Sequence, residues 1–124
     1  MKKLSVLFLF LAVLAAGIAL SACKVPGETK SAKERMDGFI ADVNASNWGA
    51  LNGHTSKSSL MHYLASDSFW ETNFSAGIPW TVTSAGTTSV ATGNGLTYTF
   101  TLEESDPDFY VIRKISNGAA DFFN

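Results

Sequence analysis

The sequence predicts a small α+β domain in which N-terminal helices pack on an antiparallel sheet. Two stretches carry this expectation. Ser31-x-x-Glu34 opens an apolar stripe of Met36, Phe39, Ile40 and Val43, and Leu96-Thr-Tyr-Thr-Phe-Thr-Leu102 alternates apolar and polar residues throughout. The first has the period of a helix and the second that of a strand. Helices come first and strands follow, an order that gives segregated layers rather than alternating βαβ units.

The chain opens with Lys2 and Lys3, followed by an apolar run from Leu4 to Leu20 and then Ser21, Ala22 and Cys23. A basic start, an apolar stretch of moderate length and small residues before a cleavage point are the parts of an export signal. The run is about 17 residues long, the lower limit for a helix that spans a bilayer. Leu20-Ser21-Ala22-Cys23 places a leucine three residues before the only cysteine, with two small residues between. This tetrapeptide resembles the lipobox of bacterial lipoproteins. The resemblance implies cleavage between Ala22 and Cys23, and a diacylglyceryl group on the Cys23 thiol with palmitate-type acyl chains. It also implies a bacterial membrane location, with Lys24 favouring the outer membrane where the envelope has one. A lone cysteine in an exported chain has no internal partner, and lipidation accounts for it.

Cleavage leaves residues 23–124, one domain's worth of chain. The net charge of the whole chain is −2, and loss of Lys2 and Lys3 makes the remainder more acidic. A mildly acidic surface argues against a nucleic-acid partner. Residues 23–30, with Pro26 and Gly27 and no apolar period, read as a lipidated tether. Fully extended, such a segment reaches at most about 29 Å, so the domain, residues 31–124, is expected close to the bilayer.

Ser31 and Glu34 form a capping box at the start of the first helix. Lys33, Arg35, Asp37 and Asp42 lie mostly off its apolar stripe. Asn44–Asn47 ends that helix and leads to a short one carrying Trp48 and Leu51, which Gly53 stops. Leu60, Met61 and Leu64 suggest a further short helix. Ser68-x-x-Glu71, with Phe69, Trp70 and Phe74, suggests another. From Pro79 the composition turns Thr-rich, which suits a pleated surface. Trp80–Ser84 and Thr88–Thr92 read as strands, Gly93-Asn94-Gly95 as a hairpin turn, and Leu96–Leu102 as a half-buried antiparallel strand. Asp106-Pro107-Asp108 is a turn before a strand at Phe109–Ile115, and Asp121–Asn124 a short terminal strand or docked tail.

Phe39-Ile-Ala-Asp-Val-Asn-Ala-Ser-Asn-Trp48-x-x-Leu51 and the late strand Tyr110-Val-Ile-Arg-Lys-Ile115 resemble the nuclear-transport-factor-2-like, cystatin-like cone. That resemblance spans most of residues 32–116. It implies a long helix lying in the concave face of a curved sheet, a cone-like fold, with binding through the cone or the sheet face and, in enzymatic members, ionisable groups on the inward faces of the cone.

Candidate chemistry is sparse. His54 and His62 are eight residues apart, which is not His-x₃-His metal spacing, so each reads as an exposed or hydrogen-bonded side chain. Glu103, Glu104, Asp106 and Asp108 surround a turn, but the ligand spacing and glycine of a calcium loop are missing. Ser56, Ser58 and Ser59 have no base beside them in any known motif, and no nucleotide, zinc or hydrolase signature occurs. No cofactor and no metal are expected. Trp70, Trp80, Tyr98 and Phe100 are the residues able to line an apolar pocket, and their alternative is the core. The expectation is a lipid-anchored, non-enzymatic domain binding a small apolar ligand or an envelope protein. The alternatives are a cone-fold enzyme acting on an apolar substrate and a structural surface lipoprotein with no pocket.

Overall fold

The computed structural model of the chain describes residues 29–122. The apolar leader, Ala22 and Cys23, and the last two residues of the expected terminal segment, lie outside the described residues.

Helices do precede a sheet. Helix α1 is Ala32–Asn44, a 3-10 segment covers Trp48–His54, α2 is Met61–Leu64, and α3 is Asp67–Phe74, continued by a 3-10 turn at Ser75–Gly77. The strands are β1 (Thr81–Ser84), β2 (Thr88–Gly93), β3 (Leu96–Asp106), β4 (Phe109–Ser116) and β5 (Asp121–Phe122). They form one antiparallel sheet in the order β1-β2-β3-β4-β5. A meander of this kind needs only short hairpin connections, which the turn sequences supply. The register breaks between Val82 and Ser84, between Thr101 and Leu102, and between Glu104 and Asp106. Such bulges bend the strands and raise their twist, giving the sheet the curvature against which α1 lies. The second break leaves Arg113 without an opposite residue, so Ile112 and Ile115 both reach the core.

The capping box at Ser31 is present: Ser31 Oγ accepts from the Glu34 N–H at 3.1 Å and Glu34 Oε1 from the Ser31 N–H at 3.2 Å. The far end closes as a Schellman turn. The Asn47 N–H reaches Asp42 O at 2.8 Å and the Ser46 N–H reaches Val43 O at 2.9 Å, with Ser46 at φ 57°. That left-handed conformation is the one glycine usually supplies.

Met36, Phe39, Ile40 and Val43 are buried and face the sheet. Phe39 sits edge-on to Trp70, Phe74 and Phe100, with ring centroids 5.8, 5.5 and 5.5 Å away. Trp80 and Tyr98 meet at 4.7 Å and both pack on Phe74. The four aromatics named as candidate pocket lining are thus core. Their polar ends are used inside the fold: Trp80 Nε1 donates to Phe74 O at 2.7 Å, Trp70 Nε1 to Asn52 Oδ1, and the Tyr98 hydroxyl to Asn73 O. A Cβ on Gly93 would run into Gly77 O and the Trp80 ring, so this glycine lets β2 close onto the turn beneath Trp80.

Three local expectations need correction. Arg35 is buried rather than off the apolar stripe, because it stands one turn before Phe39 and its long side chain turns inward. Helix α3 is capped by Ser66, whose Oγ accepts from the Phe69 N–H at 3.2 Å. Ser68 instead lies inside the first turn. Lys30, expected in the tether, is paired in parallel with Phe109. Its N–H donates to Asp108 O at 2.7 Å and its carbonyl accepts from the Tyr110 N–H at 2.9 Å. Thr55 makes a second parallel bridge to Ile112, so the edge of β4 beyond β5 is covered rather than open.

Candidate functional site

The described residues hold two clusters of polar side chains, one threaded through the fold and one at its surface. The first joins α1 to the 3-10 segment and to β4. Arg35 Nε donates to Tyr110 O at 2.8 Å, Arg35 Nη1 lies 3.0 Å from His54 Nδ1, and His54 Nε2 lies 2.7 Å from Asp42 Oδ2. A guanidinium has only donors. His54 Nδ1 must therefore accept, and the ring proton sits on Nε2 and is donated to Asp42. Burial pushes the His54 ring below the usual imidazole range. Asp42 opposes this, while Arg35 and the more distant Lys30 add to it. The Arg35 guanidinium also stacks 5.2 Å from the Phe109 ring centroid. Both ring nitrogens of His54 are engaged, so this chain fastens three elements together and offers no free acid or base to a ligand.

The second cluster is a surface cleft of about 590 Å³ between the loop after the 3-10 segment and the β3–β4 hairpin. Thr55, Ser56, Lys57, Ser58 and His62 form one wall, and Glu103, Glu104, Ser105 and Asp106 the other, with Phe109 and Val111 contributing apolar surface. The hairpin turns through Pro107 and Asp108, the latter at φ 57°. Across the cleft Ser56 Oγ and Ser58 Oγ both donate to Glu103 Oε1, the second at 2.8 Å. These two hydroxyls, Ser56 first, hold the Glu103 carboxyl below the usual carboxylate range. Arg113 lies 3.9 Å from its other oxygen. Glu103 is therefore ionised at neutral pH and a poor base.

His62 Nδ1 lies 3.1 Å from Thr55 Oγ1 and 3.2 Å from Thr55 O. The Thr55 hydroxyl proton is given to Asn52 O at 2.6 Å, so Nδ1 is the donor. His62 thus makes its hydrogen bonds to Thr55, not to Ser56 or Ser58, and no nucleophile–base pair of the kind covalent catalysis requires is assembled. Ser59 is buried and its Oγ accepts from the Met61 N–H at 3.3 Å. Among the described residues no group of three or more His, Cys, Asp or Glu is placed to hold a metal ion. Glu104 Oε2 instead accepts from the Asp108 N–H at 3.3 Å, within the turn.

Sequence reasoning located Ser56, Ser58, His62 and the hairpin acids separately, and the fold brings them to one cleft. It left out Arg35 and Asp42 as partners of His54, and Phe109 and Val111 as apolar lining. Their signal is weak in sequence because each partnership joins different elements. Next to the cleft, Leu60, Tyr63 and Leu64 expose 54, 64 and 62% of their surface. Among the described residues no helix is long and apolar enough to cross a membrane. No known protein family, curated protein or solved structure matches the chain.

Proposed function

We propose that the chain is a lipid-anchored protein of the bacterial envelope, held by acyl chains on Cys23, whose domain binds a ligand or partner without catalysis. The observation that carries this reading is Leu20-Ser21-Ala22-Cys23 at the end of a basic-then-apolar leader. One acyl chain anchors only marginally, whereas two or three on one residue hold a domain stably. Lys24 favours the outer membrane where the envelope has one. A helix laid over an antiparallel meander supports the likeness to the nuclear-transport-factor-2-like, cystatin-like cone.

Two features support binding at the outer surface rather than inside the cone. Phe39, Trp70, Phe74 and Phe100 occupy the space between α1 and the sheet. The cleft between Ser56–Ser58 and the β3–β4 hairpin combines the carboxylates of Glu103, Glu104 and Asp106, hydroxyls and the apolar surface of Phe109 and Val111, against one cation, Lys57. That chemistry suits a cationic group carried on an apolar body. The filled interior equally supports a second reading, a structural surface lipoprotein with no ligand.

The test is metabolic labelling with a tagged fatty acid. The parent chain is expected to take up label and lose its leader, and Cys23→Ser to do neither, because a hydroxyl does not replace the thiolate in thioether formation. Equal labelling of both would overturn the anchor. Amide resonances of Ser58 and Glu104, followed during addition of alkylamines, separate the two readings of the domain: movement that saturates supports the cleft, and none supports the structural reading.

A further inference from the structure

We infer that Leu60, Tyr63 and Leu64 form a membrane-docking face that seats the domain on a bilayer of zwitterionic, amine-bearing lipids. The inference rests on the lipid-anchor reading above and adds to it where the domain touches the membrane and which headgroups it prefers.

The three side chains lie at i, i+3 and i+4 across the start of α2, so they share one face of a single turn. Met61, on the opposite side, is fully buried. The helix therefore uses one face for the core and presents the other to the outside. Two leucines and a tyrosine are residues that enter the boundary between acyl chains and headgroups, where a phenol ring stays half wet.

The place where the chain enters the domain points to the bilayer as occupant. Lys30 is paired with Phe109. Phe109 and His62 line the same cleft, and the His62 ring packs edge-on against Tyr63 at 4.9 Å. The entry point and the apolar face thus flank one cleft, at the β3–β4 hairpin end of the sheet. Between Cys23 and Lys30 the chain spans at most about 25 Å when extended. An acylated Cys23 keeps this end of the domain within about 25 Å of the headgroups.

Charge sets the lipid. Glu103, Glu104 and Asp106 stand on the cleft wall opposite His62 and outnumber Lys57, the one lysine or arginine of the lining. An anionic bilayer repels that wall, while the ammonium of an ethanolamine headgroup is attracted to it. Docking is driven by apolar burial, so salt is expected to change it little on zwitterionic lipid.

The test uses the mature acylated protein in vesicles of phosphatidylethanolamine and phosphatidylcholine, with a second set rich in phosphatidylglycerol. Single cysteines introduced as Leu64→Cys and Thr97→Cys carry an environment-sensitive fluorophore, and Cys23 acylation is read by mass. Leu64→Cys is expected to shift to the blue and to be quenched by spin-labelled lipid, more strongly in the zwitterionic vesicles. Thr97→Cys, at the far end of β3, is expected to stay in water. Slowed amide exchange at residues 60–65 of the unlabelled parent on the same vesicles checks the result without substitution. Acylation with residue 64 left in water overturns the docking face and leaves the anchor standing. Residue 64 shielded from aqueous quenchers but not reached by lipid quenchers shows a protein occupant and overturns it equally. Stronger quenching on phosphatidylglycerol overturns the headgroup assignment. Absence of acyl mass on Cys23 overturns both readings.

Discussion

The carboxamide of Asn44 makes two hydrogen bonds to the backbone of Trp80. Its Oδ1 accepts from the Trp80 N–H at 2.7 Å and its Nδ2 donates to Trp80 O at 3.0 Å. Asn44 is the last residue of α1 and Trp80 immediately precedes β1, so one side chain fixes the helix end to the start of the sheet. Asn44→Ala is expected to lower stability by about 1–2 kcal/mol, since both backbone groups lose their partner. Asn44→Asp is expected to destabilise as well, because a carboxylate oxygen then faces Trp80 O in place of the N–H. Urea denaturation measures both, and three equal midpoints would contradict the role.

Phe39 is the centre of the interior. It touches His54, Trp70, Phe74 and Phe100 and is fully buried. Phe39→Ala is expected to cost about 3–5 kcal/mol, a large share of the stability of a domain this size. Lys33 lies on the opposite face, paired with Asp37 across one exposed turn, and Lys33→Ala should barely move the melting midpoint. Comparable losses in the two variants would show that α1 is oriented otherwise.

The His54 ring gives stability a pH dependence of definite sign. In the unfolded chain the ring takes a proton near its ordinary value of about 6.5. In the fold burial depresses that value, so protonation waits for stronger acid. Stability is complete above the unfolded value, falls as acid protonates the unfolded chain in preference, and stops falling once the folded ring is also charged. Protonation of Nδ1 additionally sets an N–H against the Arg35 guanidinium. His54→Gln is expected to flatten the decline in stability below about pH 6.5, as read by denaturation at a series of pH values. A parent with no such decline would remove His54 from this role.

Ser46 holds the left-handed position at the end of α1 without being glycine. Ser46→Gly is expected to raise stability by about 0.5–1 kcal/mol, the strain of a side chain in that conformation exceeding the added freedom of the unfolded chain. A lower melting midpoint in the variant would show that the Ser46 side chain contributes something the Schellman geometry does not account for.

The strands were legible because their signals are local. Gly93-Asn94-Gly95 and Asp106-Pro107-Asp108 mark two turns, and the Leu96–Leu102 alternation fixes which face of β3 is buried, although Leu96 itself, at the hairpin end, stays 37% exposed. The helix stripe was legible for the same reason. What stayed hidden depends on contacts between distant residues. His54 meets Asp42 and Arg35 across 12 and 19 positions, and no periodicity encodes such a meeting. Glu103 meets Ser56 across 47. The bulge at Arg113 likewise interrupts the pattern of β4 for a reason that lies in β3. The aromatics were ambiguous in sequence because core and pocket lining use the same residue types, and only their mutual packing separates the two.

The parallel bridge of Lys30 to β4 has a mechanical consequence. A pull transmitted along the N-terminal chain first loads the two backbone hydrogen bonds that join Lys30 to Asp108 and Tyr110. Behind them stands the capping box at Ser31, and only then the packed length of α1. The domain thus carries a short clip in series with its core. Rupture of the clip frees a residue or so ahead of α1 while the core stays folded, so the N-terminal end yields slightly under load before any part of the interior is exposed.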